Sequence, residues 1–295
     1  MSRPTRACSR RRFAARLTRR TLGGSKQELQ FMHQRIPEPI RPTLQDYISL
    51  VNQQLPGLMK ACFIEGSIAL GGFNEHFSDI DFVAVLNRTA TPAEIEGLHL
   101  IHRTIEKCHP QWKMMGSYLQ SDDWSHFDGQ GESHLQYHHD ILQPQKRFEL
   151  NSVEGWILKH HGIALIGPDP QGLPFTVDWN VLIHKMRENL NSFWASYTRR
   201  PERIIMLYSD WGIQWTVLGV LRQFYSFREN SITTKTKAGE YALTCMPPHW
   251  HRLIQEAINI RECKTTSAYR FRIVRAIDTI NFLKYVIHIC NASFI

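Results

Sequence analysis

Two aspartates, Asp79 and Asp81, open an apolar run that continues as Phe82-Val83-Ala84-Val85. Side chains alternate along a strand, so both carboxylates project from one face, roughly 7 Å apart. At that spacing and an effective dielectric of about 20 they repel by roughly 2 kcal/mol. A divalent cation turns the repulsion into attraction, because Mg²⁺ takes oxygen ligands and keeps positions open for phosphate. Upstream, an apolar run from Ala61 to Ile64 reaches Glu65-Gly66-Ser67. Gly66 lets backbone approach a phosphate closely, and Ser67 offers a hydroxyl and an N–H where a short helix begins. Gly71-Gly72, Asn74 and Ser78 fill the loop between the runs. A bare Asp-x-Asp is about nine times in ten a pair of solvated strand-edge charges. The Gly-Ser turn at this distance, between two apolar strands, reverses those odds.

The stretch from Gly66 to Val85, GSIALGGFNEHFSDIDFVAV, resembles the signature of the polymerase-β-like nucleotidyltransferase superfamily. In detail it is similar to the aminoglycoside adenylyltransferases, the streptomycin and spectinomycin resistance family. A second stretch, Val217 to Ala242, reads VLGVLRQFYSFRENSITTKTKAGEYA and resembles the helical C-terminal domain of that family. The resemblance spans about Leu44 to Arg261. It implies an α+β nucleotidyltransferase domain, a small mixed sheet with flanking helices, followed by an all-α helical bundle. It further implies transfer of AMP from Mg-ATP to a hydroxyl of a small acceptor such as an aminoglycoside; a cytoplasmic location is expected from the cysteine usage.

The family pattern, carried over residue by residue, gives Asp79 and Asp81 as Mg²⁺ ligands and catalytic groups. Gly66, Ser67 and Ser78 orient phosphates. Arg222, late in a helix, and Lys235, after the next turn, hold the nucleotide. Their chemistry suits that work, since Arg forks onto phosphate while Lys places a point charge against developing negative charge. A cationic acceptor needs acids and aromatic faces, and Asp210 and Trp211, with Trp215 nearby, are the candidates. One departure stands out. The family carries a further acid on its third strand, as metal ligand and general base, whereas Trp112 to Gln120 has none and Met114 occupies the aligned position. The base is therefore unassigned, and an inactive nucleotide-binding regulator or an enzyme with another acceptor remains as an alternative.

Length and charge bound the rest. A chain of 295 residues is long enough for two ordinary domains. The net charge of +8 suggests nucleic acid, but eight Arg and Lys26 against Glu28 place all of it in residues 1–30. The remainder is neutral, which disfavours a nucleic-acid partner. Six scattered Cys without a C-x-x-C pair fit a reducing compartment rather than a zinc ribbon. No apolar run reaches membrane-span length, and nothing points to a particular oligomer. The paired histidines, His138-His139 and His160-His161, lack a third ligand at zinc spacing.

The Arg-rich start is read as a disordered arm over 1–36, with upstream translation ahead of Met32 as its origin. The nucleotidyltransferase domain is expected over 37–170 and the helical domain over 171–295. Within them, capping boxes at Thr43–Asp46 and Thr91–Glu94 predict helix starts. The spacing of apolar residues predicts long helices over Trp179 to Tyr197 and Glu202 to Phe227. Two more follow the Pro247-Pro248 break, about Trp250 to Arg261 and Ser267 to Ile289.

Overall fold

The structure, a computed structural model, describes residues 33–120, 134–145, 148–264 and 267–292. The chain enters through a 3-10 turn, Glu38–Ile40, that runs into helix α1, Arg41–Gln54. Pro39 and Pro42 set this start, since a fixed φ and a missing N–H suit the first helical positions. The capping box expected at Thr43 does not form: Thr43 lies inside the first turn, fully buried. The arm also ends earlier than expected. Ile36 is buried, and Arg35 donates to the carbonyls of Ala69, His161 and Gly162. The expectation of disorder for residues 1–32 lies outside the described residues.

Strand β1, Met59–Ile64, passes through Glu65 into the four-residue helix α2, Gly66–Ala69. Strand β2, Ile80–Leu86, returns antiparallel to β1. Helix α3, Pro92–Cys108, begins with the Thr91/Glu94 capping box, both reciprocal bonds present. It crosses to β3, Met114–Gln120, which runs parallel to β2. A hairpin follows, β4 His134–His138 and β5 Ile141–Gln145. Its two-residue turn puts both His139 and Asp140 at positive φ, the conformation that matches strand twist. Helix α4, Val153–His161, and edge strand β6, Ile163–Ile166, complete the mixed six-stranded sheet, ordered β5-β4-β3-β2-β1-β6.

The sheet buries both faces. Ile80, Phe82 and Met114 point toward α1 and α3, while Phe63, Val83 and Leu119 point toward α4. The helical part comprises α5 Trp179–Asn189, α6 Pro201–Met206, α7 Asp210–Glu229, α8 Lys235–Cys245, α9 His251–Arg261 and α10 Arg272–Ala292. Two expected helices are interrupted. The turn after α5, Leu190–Trp194, is π-helical. The helix expected over Glu202 to Phe227 is two, because the Ser209 hydroxyl accepts from Gly212 N–H and donates to the Met206 carbonyl.

The two parts share contacts. Ala69 and Ile157 belong to the apolar cluster of the helical part, and Asn74 Nδ2 donates to the Arg261 carbonyl at 2.8 Å. Gly72 allows the closest approach. A Cβ there would sit 2.4 Å from the Thr234 methyl, and Thr234 is the N-cap of α8, one residue before Lys235.

Candidate active site

The site is built from the sharp exit of β1. Gly66 stands at φ +62°, a backbone that L side chains adopt at a cost of about 1–2 kcal/mol. A Cβ at Gly66 would lie 2.0 Å from Asp81 Oδ2. Glycine is needed here twice over, for conformation and for space. Asp81 is thereby pressed against bare backbone, and its carbonyl accepts from Glu65 N–H at 3.0 Å.

A cleft of about 220 Å³ opens at this point, bounded on one side by Gly66, Ser67, Ser78, Asp79 and Asp81. The other side comes from the helical part, as Arg222 of α7, Lys235 of α8 and Arg261 of α9. The nucleotide-site residues expected from sequence all line this one cleft, although the chain from Asp81 to Arg222 separates the two groups. The Ser67 hydroxyl and Arg222 Nε are buried with no partner among the described residues. The Ser78 hydroxyl accepts from Asn74 N–H at 3.0 Å and has its own proton to give.

Sequence reasoning missed three members. Arg261 is a third cation: its backbone carbonyl ties to Asn74, its guanidinium donates to Gln214 Oε1 at 3.2 Å, and it lies over Phe77. Glu65 is a buried acid whose Oε2 has no partner among the described residues. Glu154 stands in the first turn of α4 at the cleft mouth.

The electrostatics describe a site short of compensating charge. Burial, then Asp79 and Glu154, push the Asp81 carboxyl up to about 7 against the opposing pull of Arg222 and Lys235. Burial raises Asp79 as well, with Lys235 and the His138-His139 turn acting the other way. Burial, with Glu154 and Asp81, raises Glu65. On the opposite wall, burial together with Arg261 and Arg222 pushes Lys235 down to about 7. Cations are crowded among cations and acids among acids, an arrangement that a polyanion and a divalent cation entering together would satisfy on both sides. Among the described residues no three His, Cys, Asp or Glu side chains are gathered as a metal site. Asp79 and Asp81 could supply two anionic oxygens, leaving the remaining positions of a Mg²⁺ to phosphate and water.

A second cavity of about 460 Å³ adjoins the first. Trp194 and Trp215 give it aromatic walls, and Glu149 and Glu154 give it acids. The π-helical turn carries Trp194 onto Gly219, where a Cβ would be 2.3 Å from the indole. The structure places the two expected acceptor residues elsewhere. Asp210 is ion-paired with Arg275 at 2.6 Å, and Arg275 also binds the buried Glu256. Trp211 is exposed and stacks on the outer face of Trp215. Neither lines the described cavities, whereas Trp215 does.

The register also corrects the third-strand alignment. Asp81 pairs with Met115, and Ile80 with Met114. Met114 therefore faces the core with Ile80, and the residue that shares the Asp81 face is Met115. Neither is an acid.

Residues 191–279 match the family model described as the aminoglycoside adenylyltransferase C-terminal domain. No curated protein matches the chain in sequence. In fold, the chain is similar to the crystal structure of the spectinomycin adenyltransferase AAD(9) from Enterococcus faecialis with ATP and spectinomycin. The TM-score is 0.63 at 13% identity, and the match covers 84% of this chain and 98% of that one. Arg222, Lys235 and Arg261 all fall within the matched domain.

Proposed function

We propose that this chain, which matches the aminoglycoside adenylyltransferase C-terminal domain over residues 191–279 and is similar in fold to a spectinomycin adenyltransferase, transfers AMP from Mg-ATP to a hydroxyl of an aminoglycoside or aminocyclitol. The observation that carries this reading is the cleft in which Asp79 and Asp81 face Arg222, Lys235 and Arg261. Asp79 and Asp81 would hold Mg²⁺, which neutralises charge on the phosphates as pyrophosphate leaves. The three cations bind the triphosphate from the helical side. Their fixed positions place positive charge where negative charge develops, without reorganisation during the reaction. Ser67 and Ser78 donate to phosphate oxygens from the sheet side, and Gly66 keeps that wall flat enough for them to approach.

The acceptor occupies the larger cavity. Aromatic faces at Trp194 and Trp215 and the carboxylates of Glu149 and Glu154 suit a cationic sugar. The two cavities share Val153, Glu154, Arg222 and Lys235. Donor phosphates and acceptor hydroxyl therefore meet at one seam, as a displacement at phosphorus requires. The test is incubation with Mg-ATP and a panel of aminoglycosides and aminocyclitols. The expected product gains the mass of one adenylyl group. A panel wholly unmodified at saturating concentrations would overturn the substrate class.

A further inference from the structure

Transfer to a hydroxyl requires a group to take its proton, and the third strand offers none. Met115 stands on the Asp81 face, and Met114 is in the core. The face from which Asp81 and Met115 project is the one that α4 covers, through Leu158. In its first turn α4 carries Glu154.

Five carboxylates border the two cavities, and their positions separate their roles. Asp79 and Asp81 line the smaller cleft beside the Gly-Ser turn. Glu65 lies buried behind that turn and lines only the smaller cleft. Glu149 lines only the larger cavity and is ion-paired with Lys185 at 2.9 Å. Glu154 alone among them borders both. It lines both cavities with Arg222 and Lys235, and the residue is exposed rather than sealed in the fold. The start of α4 is held firmly. Ser152 Oγ accepts from Gly155 N–H at 3.0 Å, and Asn151 Oδ1 accepts from Asp178 N–H at 2.7 Å. The second bond ties the helix start to the N-cap of α5, whose Leu182, Lys185 and Met186 line the acceptor cavity.

We propose that Glu154 is the general base, a carboxylate supplied by α4 in place of the acid missing from the third strand. This rests on the adenylyl-transfer reading given above. As the acceptor oxygen bonds to the α-phosphorus of the nucleoside triphosphate, its proton passes to a Glu154 carboxylate oxygen. The bond from that phosphorus to the bridging oxygen breaks, and the electron pair leaves with pyrophosphate. Nothing is oxidised or reduced.

The test uses the full chain with Mg-ATP and whichever acceptor the wild type modifies. Glu154→Gln keeps size and hydrogen bonding but cannot take the proton, so kcat should fall by about 10²-fold or more. Stabilisation by Mg-ATP should persist, while acceptor KM should rise through the loss of one anion facing the cation, so the base role is read from kcat at saturating acceptor. Glu154→Asp should retain part of the turnover. Glu154→Ala should regain turnover on addition of formate, a response that a merely structural role would not give. A Gln variant with near-normal kcat beside an active wild type overturns the base assignment alone, as does an Ala variant without formate rescue. A wild type that adenylylates no acceptor overturns the functional reading and this assignment together.

Discussion

Replacing Asp81 by Asn separates a metal ligand from a strand-edge charge, because the two roles give opposite signs for stability and activity. Asp81 is pushed from 3.8 up to about 7, burial being the largest cause. At about 1.4 kcal/mol per pKa unit, holding Asp81 ionised in the empty protein costs up to about 4 kcal/mol. Repulsion from Asp79 accounts for roughly 2 kcal/mol of that at ~7 Å. The sign follows from proton binding. Between about pH 4 and 7 the folded state keeps a proton that the unfolded chain releases, so wild-type stability falls as pH rises through this window. Asn carries no such dependence. The Asp81→Asn protein should therefore match the wild type near pH 4 and exceed it at pH 8. A chain of this size gains about 2 °C per kcal/mol, so the difference in melting temperature is at most about 8 °C. Adding Mg-ATP should narrow the gap. Ligand at 100 times its Kd stabilises by about 2.7 kcal/mol, and the variant that lacks an anionic ligand should gain little. Turnover should fall by orders of magnitude. A variant that is less stable than wild type by the same margin at every pH would refute the burial argument. One that keeps Mg-dependent ATP stabilisation and normal turnover would refute the metal role.

Three further outcomes follow from the geometry. Gly66→Ala puts a Cβ 2.0 Å from Asp81 Oδ2 at a positive φ, so a modest loss of melting temperature should accompany a drop of about 10² in kcat, as Asp81 is displaced. Lys235, pushed from 10.5 down to about 7, destabilises the empty protein progressively as pH falls from about 10.5 to 7, because the unfolded lysine holds the proton over that range. Lys235→Met should flatten that part of the stability profile and abolish stabilisation by ATP; an unchanged profile would show that the ammonium is not buried as described. Gly219→Ala sets a methyl 2.3 Å from Trp194 and pushes the indole toward the larger cavity, so acceptor KM should rise while the ATP-induced thermal shift stays as in wild type.

The convergence of Gly66, Ser67, Ser78, Asp79, Asp81, Arg222 and Lys235 on one cleft was legible because these residues are of types and spacings that few other demands produce. Gly66-Ser67 and Asp79-x-Asp81 announce a turn and a strand, and Arg222 and Lys235 stand in a helix–turn–helix of family form. Residues whose role depends on tertiary placement were not. Glu154 reads in sequence as a first-turn acid of a capped helix, and only the packing of α4 on the sheet brings it to the seam. Arg261 reads as a helix C-terminal cation, and Glu65 as a polar stop to a strand. An acid directly before a Gly-Ser turn was the one available hint for Glu65. The β4–β5 hairpin went unread because HLQYH and ILQPQ carry few apolar residues and Pro144 argues against a strand. Pro144 sits on the edge strand of the sheet, where a missing N–H is tolerated. Asp210 looked like a substrate acid since its partner Arg275 is 65 residues away and invisible to local pattern. Met114 was a register error of one residue, which inverts the face a strand side chain occupies.

If the cleft moves an adenylyl group, the fate of the phosphorus atoms of ATP will show it. ATP labelled at the α-phosphorus should transfer its label to the aminoglycoside or aminocyclitol in the presence of Mg²⁺. ATP labelled at the γ-phosphorus should yield labelled pyrophosphate and an unlabelled acceptor. A γ label on the acceptor would mean phosphoryl rather than nucleotidyl transfer. Label from neither position on any acceptor, with ATP demonstrably bound, would contradict catalysis at this site altogether.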